Sequence, residues 1–239
     1  MILMDDDRAA LITAGYKNMG LFISRELSKN GYTPILTYRS DEEVANRVAK
    51  DLGGYAFKAD LENPDDVGSL YEAVEDHGLE VEALVNNASS FIKGSILENN
   101  ISDIKRGIEG CMYPTLYPIK TFLPGMIRRG SGRIINIGMA GIQRLRPYSA
   151  VSIHAAAKTA LLSITRSLAF ELRDTGVTAN MVSPGIIDRE LYGEGERSPE
   201  GIDKEDMVSP DDVADRIIEI IEDPLINGEH IEIGEDLHT

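Results

Sequence analysis

His154 and Lys158 stand four residues apart in the run His154-Ala155-Ala156-Ala157-Lys158. On a helix that spacing puts both side chains on one face. An imidazolium there is a competent proton donor, and a neighbouring ammonium can hold a hydroxyl or an anionic group. The two cations also oppose each other, because Lys158 lowers the pKa of His154 and works against donation above neutral pH. The plain alternative for His154 is a satisfied histidine with no chemical part.

A second constellation concerns nucleotides. An apolar run ends in Thr13-Ala14-Gly15-Tyr16-Lys17-Asn18-Met19-Gly20, and a helical pattern follows. Backbone N–H groups at such a turn point at a diphosphate, and glycine lets the chain come close. Only Gly15 and Gly20 are glycine, and a turn whose glycines serve packing alone has the same appearance. The next apolar run ends in Thr37-Tyr38-Arg39-Ser40. An acid at that position would accept a ribose 2′-hydroxyl and repel a 2′-phosphate. Arg39 instead offers a charge-assisted fork, Ser40 a hydroxyl at a helix start, and Lys17 a further cation. These favour NADP over NAD; solvated surface cations are the alternative reading.

Such residues must be held by a scaffold, and strand-length apolar runs alternate with amphipathic stretches from end to end. Ala9–Thr13, Pro34–Tyr38, Tyr55–Phe57, Ala83–Val85, Arg133–Ile137, Val177–Val182 and His230–Ile233 read as strands. Several are apolar throughout, as in a parallel sheet covered on both faces. Asn18–Asn30, Asp41–Leu52, Pro64–His77, Ile101–Arg129, Ser149–Asp174 and Pro210–Glu222 read as helices. Ser40-Asp41 begins the second, and Pro64 and Pro210, each followed by two aspartates, begin the third and last. Arg128-Arg129-Gly130 ends the fourth, whose middle Pro114 and Pro118 are expected to break. Residues Gly193–Asp206 read as an excursion over the site or a plain solvated loop. The whole predicts one doubly wound α/β domain over residues 1–239, a Rossmann-like, three-layer α/β/α sandwich.

The motifs that follow these strands come in a definite order: Ala59-Asp60-Leu61, Asn86-Asn87-Ala88-Ser89, His154-xxx-Lys158, Ser183-Pro184-Gly185, and Gly228 before the last strand. Together with the first turn, this succession resembles the short-chain dehydrogenase/reductase family from about residue 8 to 236. The resemblance implies a dinucleotide held by Thr13, Gly15, Lys17, Met19, Gly20, Arg39, Ser40, Asp60, Leu61, Asn87, Ala88, Lys158, Pro184 and Gly185. Asp60 would bind the adenine and Asn87 would lie along the ribose. Lys17-Asn18-Met19-Gly20, Tyr38-Arg39-Ser40 and Asn86 to Phe91 look most like pteridine reductases, in which a phenylalanine at the place of Phe91 stacks on the pterin; a core phenylalanine is the alternative.

The family's active site uses Asn, Ser, Tyr and Lys, and counting from landmarks places Cys111, Met139, His154 and Lys158 there. Arg189 stands where a threonine usually meets the nicotinamide side. Two functions follow: a reductase of a small-molecule carbonyl or C=N bond, with His154 or Tyr148 replacing the tyrosine, or a nucleotide-binding homologue without dehydrogenase activity, acting as sensor or subunit. The resemblance further implies a homodimer or homotetramer, with the small residues Ala155, Ala156, Ala157, Ala160 and Ser163 at a two-fold contact.

Composition narrows the partners. The 239-residue chain carries a net charge of −16, a surface that repels phosphate backbones and so argues against nucleic acid. Cys111 is the single cysteine, with no internal disulfide partner and no zinc spacing. Met1–Asp7 has no basic segment of a secretory signal, and no apolar run reaches membrane-spanning length, so a soluble, cytoplasmic protein with no membrane partner is expected.

Overall fold

A computed structural model describes residues 8–145, 147–148, 150–193, 196–199 and 201–234. The Met1–Asp7 segment, on which the absence of a signal was argued, lies outside them. The elements are β1(Arg8–Ile12), α1(Asn18–Lys29), β2(Thr33–Tyr38), α2(Glu42–Asp51), β3(Tyr55–Lys58), α3(Pro64–Asp76), β4(Glu80–Asn86), α4(Ile101–Arg129), β5(Gly132–Ile137), α5(Ser152–Glu171), β6(Val177–Pro184), α6(Pro210–Glu222) and β7(His230–Ile233). The seven strands form one sheet in the order β3-β2-β1-β4-β5-β6-β7, every pairing parallel. The chain is thus of the Rossmann-like doubly wound class. Strand order reverses between β1 and β4, and the carboxyl ends of strands flanking such a reversal leave a crevice for a ligand.

Alternate side chains of the central strands feed two cores, because successive residues point to opposite faces. Ile12, Leu36, Val85 and Ile135 pack with Ile23 and Leu27 of α1 and Ile217 and Ile220 of α6. Leu11, Leu84 and Ile134 pack with Val67 and Leu70 of α3 and Phe122 and Met126 of α4. Strand β6 is buried at all eight positions, which is why its sequence shows no alternation.

The expected break in the fourth helix does not occur. Helix α4 runs for 29 residues with Pro114, Pro118 and Pro124 inside it. Asn100 and Asp103 close a capping box at its start, and Gly130 ends it in the left-handed region at φ 71°. A proline removes the N–H that would serve the carbonyl four residues back. For Pro114 that carbonyl is Gly110 O, and it accepts instead from the Ser90 backbone N–H at 2.8 Å. The helix therefore continues and gains a tie to the segment that follows β4.

Helix α5 begins at Ser152, later than expected; Ser149 lies outside the described residues. Ala150 has φ 57°, a left-handed conformation that a right-handed helix cannot include. Within the expected excursion Gly193–Asp206, Lys204–Asp206 form a short 3₁₀ turn; just before the excursion Arg189–Tyr192 form another, and Ile187 bridges Val208 in parallel. Tyr192 packs on Phe22 of α1, with ring centroids 6.0 Å apart. Among the described residues no helix is long and apolar enough to cross a membrane.

Candidate active site

The turn between β1 and α1 is built around close packing. Ala14 and Asn18 both lie in the left-handed region, at φ 52° and 49°. A Cβ on Gly15 would come within 2.8 Å of Leu36 and Ser24. One on Gly20 would run into the Ala14 carbonyl and come 2.9 Å from the Asn87 amide nitrogen. Both glycines thus let α1 seat against the sheet. Ser24 fastens that seat by donating to the carbonyls of Gly15 and Gly20, each at 2.8 Å. Helix α1 has no side-chain cap and no acid in its first turn, whereas α3, α4 and α6 have both. Uncapped N–H groups and the positive end of a helix dipole suit a diphosphate.

Several residues expected to bind the cofactor are placed behind the surface. Thr13 is fully buried. Its Oγ1 accepts from the backbone N–H of Asn87 and of Ala88, both at 2.8 Å, and its carbonyl accepts from Asn87 Nδ2 at 3.0 Å. It clamps β1 to the segment after β4. Met19 belongs to the core beneath α1. Pro184 and Gly185 are buried and bonded through backbone to Ala140 and Ile233. Lys17, Arg39, Ser40, Asp60, Leu61 and Ala88, by contrast, line one cavity of about 260 Å³ at the carboxyl ends of β1, β2, β3 and β4. The cavity also exposes Tyr38, Glu62, Ser90, Gly110 and Pro114.

Both cations at this cavity have carboxylate partners that sequence reasoning missed. Lys17 Nζ lies 2.9 Å from Asp41 Oδ2, which also accepts from the Tyr16 hydroxyl at 2.6 Å. The Tyr16 bond, then Lys17, hold the Asp41 carboxyl below its ordinary range. Arg39 lies 3.9 Å from Glu62. Asp41 was legible only as a helix start; it occupies the N-cap of α2 but makes no side-chain cap bond, because its carboxylate is turned to the nucleotide turn.

At the other end of the crevice, Lys158 is 4% exposed and donates to the Ile137 carbonyl at 2.7 Å. Burial lowers its pKa, with the nearby Cys111 sulfur opposing. His154 sits one turn before it on α5. Its Nδ1 is 3.6 Å from Cys111 Sγ, and its ring meets Phe91 edge to face at 5.0 Å. Cys111 is fully buried; its thiol donates to the Ser90 carbonyl at 3.2 Å and touches Ser89 Oγ at 3.1 Å. Phe91 is half exposed and belongs to none of the hydrophobic cores. Tyr148 is placed differently: it packs against the apolar cluster of Met139, Ile142, Val151 and Ala155, and lines a groove on the outer side of α5 with Ser152, Ala156 and Thr159. The structure therefore gathers His154, Lys158, Cys111 and Phe91 into one corner, with Tyr148 on the other side of the helix.

The short chain dehydrogenase family model matches residues 8–198. An uncharacterised oxidoreductase of Staphylococcus saprophyticus is 29% identical over 96% of this chain and 95% of its own length. A ketoacyl reductase of a Nostoc species is 28% identical over 75% of this chain and 63% of its own. Among solved structures, a blue fluorescent protein from a metagenomic library, in complex with NADPH, superposes with a TM-score of 0.84 at 27% identity, covering 97% of this chain and 98% of that one. The chain belongs to the short chain dehydrogenase family, whose members bind a nicotinamide cofactor, and is an oxidoreductase of that type.

Proposed function

We propose that this chain is an NADP(H)-dependent reductase of a small-molecule carbonyl or C=N bond, in which His154 supplies the proton and Lys158 holds the cofactor ribose. The observation that carries the reading is the corner itself: His154 lies one helical turn from a buried lysine, at the carboxyl end of the sheet, beside the segment that follows β4.

The residues present fit a dinucleotide. The uncapped start of α1 accommodates a diphosphate, and Arg39, Ser40 and Lys17 line the cavity where a 2′-phosphate would extend. NADPH in the metagenomic relative is in keeping with this. Bound NADPH would supply a hydride to the electrophilic carbon. The substrate oxygen or nitrogen then takes one proton from the His154 imidazolium, giving an alcohol or amine and leaving neutral imidazole to be reprotonated from solvent. Lys158 keeps one N–H on the Ile137 carbonyl and has others to offer a ribose hydroxyl. The exposed face of Phe91 beside His154 is the natural wall for a planar substrate, and pterins fit that description as one candidate class.

The test is NADPH oxidation against a panel of carbonyl compounds and pterins at several pH values, for wild type, His154→Ala, His154→Tyr and Tyr148→Phe. Removing a general acid typically costs ~10²–10⁴-fold in rate, so His154→Ala is expected to fall by that order and Tyr148→Phe to keep activity. Wild-type activity is expected to decline as pH rises and His154 loses its proton. Should wild type bind NADPH and turn over nothing while His154→Tyr gains activity, the chain is a nucleotide-binding homologue. Should Tyr148→Phe be dead and His154→Ala active, the proton comes from Tyr148.

A further inference from the structure

The Cys111 thiol has one proton and, among the described residues, three groups within hydrogen-bond reach. The Ser90 carbonyl, 3.2 Å away, can only accept. The Ser89 hydroxyl, 3.1 Å away, can give or take. His154 Nδ1 is at 3.6 Å, within reach of a hydrogen bond to sulfur. Once the S–H proton is committed to the carbonyl, sulfur offers His154 only lone pairs.

That carbonyl is not free to leave. The Ser90 N–H is tied to Gly110 O at 2.8 Å, the helical carbonyl whose usual donor Pro114 lacks. Gly110 has no side chain, and a Cβ there would run into the Ser90 side chain. Three near-consecutive features of α4, namely Gly110, Cys111 and Pro114, thus dock the segment after β4 and orient the thiol.

We infer that Cys111 is a positioning residue for the proposed proton donor: its sulfur accepts Nδ1–H of His154, holds the neutral ring in the Nδ1–H tautomer, and makes Nε2 the nitrogen that gains and loses the transferred proton. Phe91, edge to face on the ring at 5.0 Å, restricts the imidazole from a second side. The inference rests on His154 as donor. It explains how a histidine can replace a longer phenol here, since an imidazole that flips or changes tautomer would deliver its proton from an undefined place. Among the described residues, the titratable groups facing the ring are Lys158 on the same helix and Cys111 on α4, and the segment after β4 contributes Phe91. Lys158 disfavours the imidazolium, whereas a sulfur lone pair at Nδ1 favours it.

The experiment is nitrogen-15 NMR of the histidine rings across a pH titration, with His154 assigned by its loss in His154→Ala, in wild type, Cys111→Ala and Cys111→Ser. Expected in wild type is a neutral His154 whose Nε2 is the unprotonated nitrogen. Cys111→Ala should yield mixed tautomers, and kcat should fall roughly ten- to a hundredfold, the scale of a misplaced reacting group, with KM nearly unchanged and the pH profile displaced to lower pH. Cys111→Ser, similar in volume and still able to donate to Ser90 and accept from His154, should restore most of both. A neutral His154 with its proton on Nε2 in wild type, or an unchanged tautomer and pH profile in Cys111→Ala, overturns the inference. If the NMR result holds but no compound in the panel is reduced, it is the proposed function that falls, and the two failures are told apart.

Discussion

Asp41 and Glu62 change what the cations at the nucleotide cavity can do. Lys17 and Arg39 look unopposed in the sequence, yet each is set against a carboxylate. On the proposed NADP(H) reading, a 2′-phosphate would share them. Arg39→Ala is still expected to weaken NADPH binding by about 1.5–3 kcal/mol, the scale of a hydrogen bond to a charged group, and to leave NADH nearly unchanged; equal losses for both in calorimetry would refute the NADP assignment. Asp41→Asn, which relieves Lys17 of its partner, should tighten NADPH binding slightly, because an exposed ion pair is weak. A different residue sets an acid-side sensitivity. His230 Nε2 pairs with Ser183 Oγ at 2.8 Å, and its Nδ1 is buried with no hydrogen-bond partner among the described residues. Burial therefore lowers its pKa from the ordinary 6.5, with Glu232 partly opposing. Between the folded and the ordinary value the unfolded chain binds more protons, so stability rises with pH and is lost as pH falls through that window. Unfolding midpoints from pH 5 to 7.5 should rise less steeply in His230→Asn than in wild type; parallel curves would show that His230 carries no such linkage.

Among the elements, α4 departs furthest from expectation. Proline in a helix interior ordinarily costs about 3 kcal/mol, yet the carbonyl that Pro114 orphans is satisfied from outside the helix by Ser90. Pro114→Ala restores a competing donor within the helix. It should raise or preserve the melting temperature while loosening the segment from Asn87 to Phe91, seen as faster amide exchange at Ser90 and a several-fold weaker NADPH affinity, on the order of one hydrogen bond of 0.5–1.5 kcal/mol. Unchanged exchange at Ser90 would mean the tie contributes nothing. The α1 turn makes the complementary case. Gly15 and Gly20 were legible as nucleotide glycines, but what they permit is close packing of the helix on the sheet and on the Asn87 segment; the helix end then presents its N–H groups as a consequence.

At the scale of the molecule, we propose a homodimer or homotetramer through the outer side of α5. There Pro147, Tyr148, Ser152, Ala156, Thr159, Ala160 and Ser163 line a groove of about 600 Å³, and small side chains allow a close approach of helices. With a net charge of −16 per chain, copies repel one another at low ionic strength, so assembly should strengthen as salt is added. Light scattering at micromolar concentration, at low and moderate salt, is the check. Monomer under both conditions would remove the proposal, and would also leave Tyr148 without the interface role that its placement suggests.

What the sequence by itself determined is what depends on neighbours along the chain. The order and type of every strand and helix follow from apolar runs, amphipathic periods and caps, all local features, and uniformly apolar strands can only be buried in a sheet covered on both sides. Hence the parallel doubly wound class, the crevice at the carboxyl ends and the location of Arg39 beside it were readable in advance, while the place of Lys158 rested on the family resemblance. Only tertiary structure decided which groups meet across that crevice. That Asp41 faces Lys17 rather than capping α2, that Pro114 leaves α4 continuous because Ser90 serves Gly110, that Tyr148 lies on the far side of α5, and that Cys111 touches His154 from 43 residues away are contacts between separate elements. No periodicity encodes them, because each depends on how two independently formed elements are brought together by the shared core beneath.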